Sequence, residues 1–154
     1  MNSIQSIWEK ELTKETVEKI DKTQIGERTL TQEQEIYKEN ILEHYKHPHN
    51  QRKMQNCTHQ HLGFNPLCGD RILFFVKVKE ERIEDASFIG SGCAISQAAT
   101  SILSDKIKGK TLSDIQALTK EDIYSWLGIP IGPVRMKCAL LGVVTLKEAL
   151  EQKA

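Results

Sequence analysis

Cysteine occurs four times in this chain, and three of the four stand where backbone geometry can put a thiolate to use. Cys68 lies in Asn65-Pro66-Leu67-Cys68-Gly69-Asp70, Cys93 in Gly90-Ser91-Gly92-Cys93-Ala94-Ile95-Ser96, and Cys138 in Val134-Arg135-Met136-Lys137-Cys138-Ala139-Leu140-Leu141. With Asp70 they offer three soft donors and one hard one, enough to close a four-coordinate site for a soft or borderline metal.

Each setting has its own physical content and its own plainer alternative. Pro66 fixes one backbone angle and Gly69 tolerates a positive φ, so a tight turn can hold the Cys68 sulfur and the Asp70 carboxylate toward one point. The same turn can equally carry a cysteine that is only a small apolar residue. Cys93 follows a Gly-Ser-Gly run and precedes a helical pattern. Unpaired amides at a helix start favour a thiolate there. The alternative is a glycine-flanked core cysteine. Cys138 also sits near a helix start, after a Gly/Pro-rich loop, and the adjacent Lys137 is expected to favour its thiolate. Spacings of 25 residues from Cys68 to Cys93 and 45 from Cys93 to Cys138 match no zinc-finger pattern. Cys57, in a polar loop between Asn56 and Thr58, reads as a non-ligand. His44, His47, His49, His59 and His61 all precede the first motif and read as solvated helix-end and loop residues, with His59 or His61 able to approach from the first strand.

The elements that must position these groups follow from pattern. Thr31 and Gln34 form a capping-box pair, and Ile36, Tyr37, Ile41, Leu42 and Tyr45 recur at helical spacing until Pro48 stops the helix near His47. A short strand is expected before Asn65. A second covers 72–78, with Ile72, Phe74, Val76 and Val78 on one face. Glu80-Glu81 suits a hairpin, and the third strand, 82–89, shifts phase near Glu84-Asp85, the mark of a bulge. Helices are expected over 94–107, from Thr111, over 119–126 and over about 134–151. The fold class is therefore α+β, a small three-stranded antiparallel sheet with helices packed on one face. Residues 31–154 form the domain. Residues 1–30 form an N-terminal extension in which Ile4, Trp8, Leu12, Val17 and Ile20 are loosely spaced as a helical face.

Composition removes several function classes. With 154 residues, 21 basic and 21 acidic, the chain carries no net charge and no basic cluster for nucleic acid. No apolar run approaches the ~20 residues of a membrane span. Glu9, Glu11, Glu15 and Glu18 argue against a transit peptide, so cytoplasm is the expected location. In that reducing compartment cysteines stay free, metal-bound or catalytic.

From about residue 33 to 152 the chain resembles the iron–sulfur cluster assembly scaffolds of the IscU/SufU/NifU N-terminal type. The resemblance rests on Tyr37 to Asn50, with Glu43-His44-Tyr45 and Pro48-His49-Asn50, and on Asn65 to Ile72, Gly90 to Ser96 and Arg135 to Ala139. It implies an α+β fold, metal or cluster ligation by Cys68, Asp70, Cys93 and Cys138, and sulfur acceptance by Cys138. Implied partners are a cysteine desulfurase and iron–sulfur acceptor proteins. Ile131-Gly132-Pro133-Val134-Arg135 resembles a divergent form of the segment that the Isc branch offers to a DnaK-type chaperone, with Gly132 in place of a proline.

Lys137 stands where the Isc branch has histidine. That, with Cys68-Gly69-Asp70-Arg71-Ile72 and Cys93-Ala94-Ile95-Ser96, resembles the SufU branch, whose usual insertion between the second and third cysteines this chain lacks. Two functions are thereby expected. One is a scaffold or carrier that receives sulfur, binds iron or a [2Fe–2S] cluster and passes it on, without being an enzyme in the strict sense. The other is a zinc-dependent sulfur acceptor, holding Zn²⁺ on the same four residues and acting as a sulfurtransferase through Cys138. A purely structural zinc domain is disfavoured, because about 150 residues fold without a metal.

Overall fold

The computed structural model describes residues 31–66 and 68–151, so the helical spacing expected within residues 1–30 lies outside the described residues. Three threonines set where helices begin. Thr31, Thr111 and Thr119 are the N-caps of α1 (Gln32–Lys46), α3 (Leu112–Gln116) and α4 (Lys120–Leu127). In each, the hydroxyl accepts from the third residue on, whose own side chain accepts from the threonine amide. This reciprocal bond satisfies two backbone donors that a helix start otherwise leaves open. The expected stop near Pro48 holds, with His47 as the C-cap of α1.

The sheet runs β1 (His59–Asn65), β2 (Asp70–Lys79), β3 (Arg82–Ser91), antiparallel throughout and in sequence order. Glu80 and Glu81 both have positive φ, 54° and 63°, and close a two-residue hairpin with Lys79 opposite Arg82. That handedness matches the twist of paired strands. The phase shift expected near Glu84 is a bulge. Lys77 faces Asp85 and Val78 faces Ile83, which leaves Glu84 as the extra residue.

Ile72, Phe74, Val76, Ile83, Ala86 and Phe88 point into the core. It is roofed by α2 (Ala94–Lys106), over β3, and by α5 (Pro133–Glu151), over β1 and β2. The helices therefore lie as the α+β expectation placed them. α5 is buried on nearly every side from Met136 to Ala149. It runs between the sheet and α2, with contacts to α3 and α4. Lys147 is carried inside with it, and its Nζ donates to the carbonyls of Gln116 and Leu118 at 3.3 and 2.6 Å.

One expectation about α1 is corrected. Of its apolar face only Ile41 is buried; Ile36 is 70 % and Tyr45 45 % exposed, and His44 takes an inward position instead. α1 packs chiefly on α2, where Ser101 gives the inward His44 a hydrogen-bond partner. No helix among the described residues is long and apolar enough to cross a membrane.

Candidate metal centre

Three separate elements deliver the sulfur atoms. Asn65 ends β1 and Asp70 begins β2, directly opposite each other across the strand pair. The turn between them carries Cys68 outward. Its bond from the Gly69 amide to the Asn65 carbonyl, 2.8 Å, needs Gly69 at φ 72°. Cys93 is the N-cap of α2, with extended backbone, where sequence placed a helix start. Asp70 Oδ1 accepts the Cys93 amide at 2.9 Å, so a carboxylate from the sheet makes the bond that the third helical residue makes in a capping box. Gly92 makes this possible. At φ 152°, a Cβ there would lie 2.2 Å from Asp70 Oδ1. Cys138 lies on α5, its sulfur also near the Val134 carbonyl, at 3.9 Å.

Donor atoms of Cys68, Asp70 and Cys138 all lie within 4.8 Å of one another. The sulfurs of Cys138 and Cys68 are 3.4 Å apart, too far for a disulfide and near the roughly 3.8 Å that a tetrahedral ion with 2.3 Å bonds to sulfur demands. Cys93 stands just outside this set, joined to it by a hydrogen bond from the Cys138 thiol. Three sulfurs and one carboxylate oxygen suit a thiophilic, tetrahedral ion. Cys68 is exposed, Cys93 half-buried, and Cys138 and Asp70 fully buried, so the group opens to solvent on the Cys68 side.

Protons are unequally shared. The bond donated by Cys138 is the main reason the Cys93 thiol is pushed down to about 5, against the opposing effect of burial; the Ser96 and Ile95 amides assist. Cys138 is pushed strongly upward by the nearness of the Cys93 sulfur, then by burial and by Asp70 and Cys68, all of which favour keeping its one proton. Without a metal, Cys93 is the thiolate and Cys138 keeps its proton. A buried sulfur beside an anionic one resists ionisation until a cation arrives.

Asn65 is the residue that sequence reasoning passed over. Buried at 2 % exposure, its amide nitrogen lies 3.4 Å from Asp70 Oδ2 and 3.7 Å from Cys138 Sγ. Its place at the head of the first cysteine motif was the available signal. The histidines also differ from expectation. His44 is buried, bonded through Nδ1 to Ser101 Oγ at 2.7 Å, and pushed below its ordinary range chiefly by that burial. His61 does not approach the cysteines; its Nε2 lies 2.8 Å from Glu148 Oε2. His59 pairs with Thr58, and Cys57 is half-buried in the preceding loop, outside the group.

Comparison with known proteins adds a family. The NifU-like N terminal domain matches residues 36–153. The zinc-dependent sulfurtransferase SufU of Bacillus subtilis is 30 % identical over 77 % of this chain and 91 % of its own length. The iron–sulfur cluster assembly scaffold protein IscU of Escherichia coli K12 is 34 % identical over 74 % of this chain and 91 % of its own. A crystal structure of a proposed cluster assembly scaffold for the SUF system of Fervidobacterium islandicum superposes with TM-score 0.65 at 30 % identity, covering 75 % of this chain and 97 % of that one.

Proposed function

Because this chain belongs to the NifU-like N-terminal domain family, we propose that it is an iron–sulfur cluster assembly scaffold. It receives sulfur from a cysteine desulfurase, builds a [2Fe–2S] cluster on Cys68, Cys93, Cys138 and Asp70, and delivers it to acceptor proteins. The observation that carries this is the convergence of Cys68, Asp70 and Cys138 within 4.8 Å, with the Cys93 sulfur hydrogen-bonded to Cys138. A carboxylate among thiolates gives one harder, weaker hold on the cargo, which suits transfer over storage.

Sulfur acceptance is assigned to Cys138. Its thiol first gives up its proton to solvent on the open Cys68 side. The resulting Cys138 thiolate attacks the outer sulfur of the desulfurase persulfide. A new S–S bond forms on Cys138 while the desulfurase cysteine leaves as thiolate. The exposed Cys68 turn is the segment that must yield to admit the donor.

Anaerobic reconstitution with iron, cysteine and a desulfurase tests the reading. A visible cluster absorption that Cys93→Ala abolishes supports it. A colourless protein that keeps one zinc and still stimulates desulfurase turnover sinks it, in favour of a zinc-dependent sulfur acceptor on the same residues. Lys137 supports that second reading, since a lysine stands where a histidine ligand would serve a cluster. The expected DnaK-type chaperone contact belongs to the scaffold reading, and Val134 in its segment is 60 % exposed.

A further inference from the structure

We propose that His44, His49 and Asp105 form a second cation site, for a divalent transition metal held by nitrogen and oxygen alone. The cysteine reading is not needed for it. Asp105 lies twelve residues along α2 from Cys93, about 18 Å at the helical rise.

One donor atom from each residue lies within 4.8 Å of the others. Two imidazoles and a carboxylate on one side of an ion are a set suited to zinc, iron, cobalt or nickel, with remaining positions open. The His44 and His49 rings are 4.4 Å apart between centroids. His49 Nδ1 lies 2.5 Å from Asp105 Oδ2, so this pair opens by roughly 1 Å if both atoms turn to a shared ion.

Outer contacts hold the donors ready. Ser101 Oγ accepts the His49 amide at 2.8 Å and meets His44 Nδ1 at 2.7 Å. With His44 Nδ1 committed there, Nε2 is left for the cation, the arrangement common to metal-ligating histidines. Asn50 Nδ2 donates to Asp105 Oδ1 at 2.8 Å and leaves Oδ2 on the histidine side. His44 and Asp105 also line a cleft of about 470 Å³ between α1, α2 and α4, which gives an ion access and room for water. Two nearby ammonium groups are engaged elsewhere. Lys106 sits over the Trp126 ring at 5.8 Å, and Lys108 bonds Asn50 Oδ1 and reaches Asp85.

Cobalt(II) titration of the reduced, metal-free full-length protein reads both sites separately. Sulfur ligation produces near-ultraviolet charge-transfer bands; a nitrogen–oxygen site produces only weak visible bands. The expected result is one equivalent that binds without charge transfer, weakened roughly tenfold or more in His49→Ala and in Asp105→Asn. The charge-transfer bands should stay intact in both variants and show that they fold. Absence of any equivalent free of charge transfer overturns the proposal. So does an unchanged equivalent in His49→Ala, or an equal loss in His47→Ala. Missing charge-transfer bands with the second equivalent retained would count against the cysteine site and support this one.

Discussion

The Cys93 and Cys138 sulfurs, carried on two different helices, share a hydrogen bond that pushes one thiol down and the other up. The sharing makes the two chemically unlike. One is an anion held by helix amides, and the other is a buried acid that keeps its proton.

Alkylation of the metal-free protein should reveal the asymmetry. Cys93, pushed down to about 5, is thiolate at neutral pH, and its reactivity should fall only as pH drops through that value. An ordinary thiol titrates near 8.5 and would already be fading at pH 7. Cys138→Ala removes the donor, so the Cys93 profile should move upward. Peptide mapping after iodoacetamide across pH measures it, and an unmoved profile would refute the shared hydrogen bond.

Two glycines in the site should behave differently on substitution by alanine. Gly92→Ala drives a Cβ into Asp70 Oδ1 at 2.2 Å, displacing the carboxylate as well as straining the backbone. Metal content should fall and stability should drop by about 1–3 kcal/mol. Gly69→Ala meets open space at φ 72° and costs about 1–2 kcal/mol from backbone strain alone, with metal retained. Equal metal loss in both would contradict the placement of Gly92.

Asp70→Ala should lengthen the life of a bound cluster, if the oxygen donor is what makes it labile. It should also loosen the start of α2, because the Cys93 amide loses its acceptor. Asp70→Asn keeps an oxygen for that amide and should preserve the helix start. Cluster decay under a chelator, read beside amide exchange at Cys93, separates the two effects.

Lys147→Ala lies far from the cysteines along α5 and should act on stability alone. It leaves the Gln116 and Leu118 carbonyls without their donor at the end of α3. A loss of about 1–3 kcal/mol is expected by chemical denaturation, with metal content unchanged.

What was readable in the sequence was local. Thr31 announced a helix start through Gln34, Thr111 and Thr119 stood at the starts of two more, and Glu80-Glu81 and Glu84 marked a hairpin and a bulge through the period of their strands. The motifs around Cys68, Cys93 and Cys138 revealed the settings of the sulfurs, but not the order in which they give up protons. That order depends on the burial of Cys138 against α2 and the sheet, which no local pattern encodes. His44 is the counterpart: it looked like a solvated helix-end residue because its partner, Ser101, lies 57 residues away. Asn65 was in plain view, yet its purpose emerged only when Asp70 was found opposite it in the strand pair.

The sulfurs of Cys68 and Cys138 come from opposite ends of a 70-residue stretch of chain that contains most of the sheet and all of α2, α3 and α4. Whatever is bound between them pins that stretch shut like a clasp. Occupancy at a hundred times the dissociation constant would add about 2.7 kcal/mol of resistance to unfolding. Delivery of the cargo withdraws that resistance at once. An emptied chain should therefore be cut faster than a loaded one in limited proteolysis.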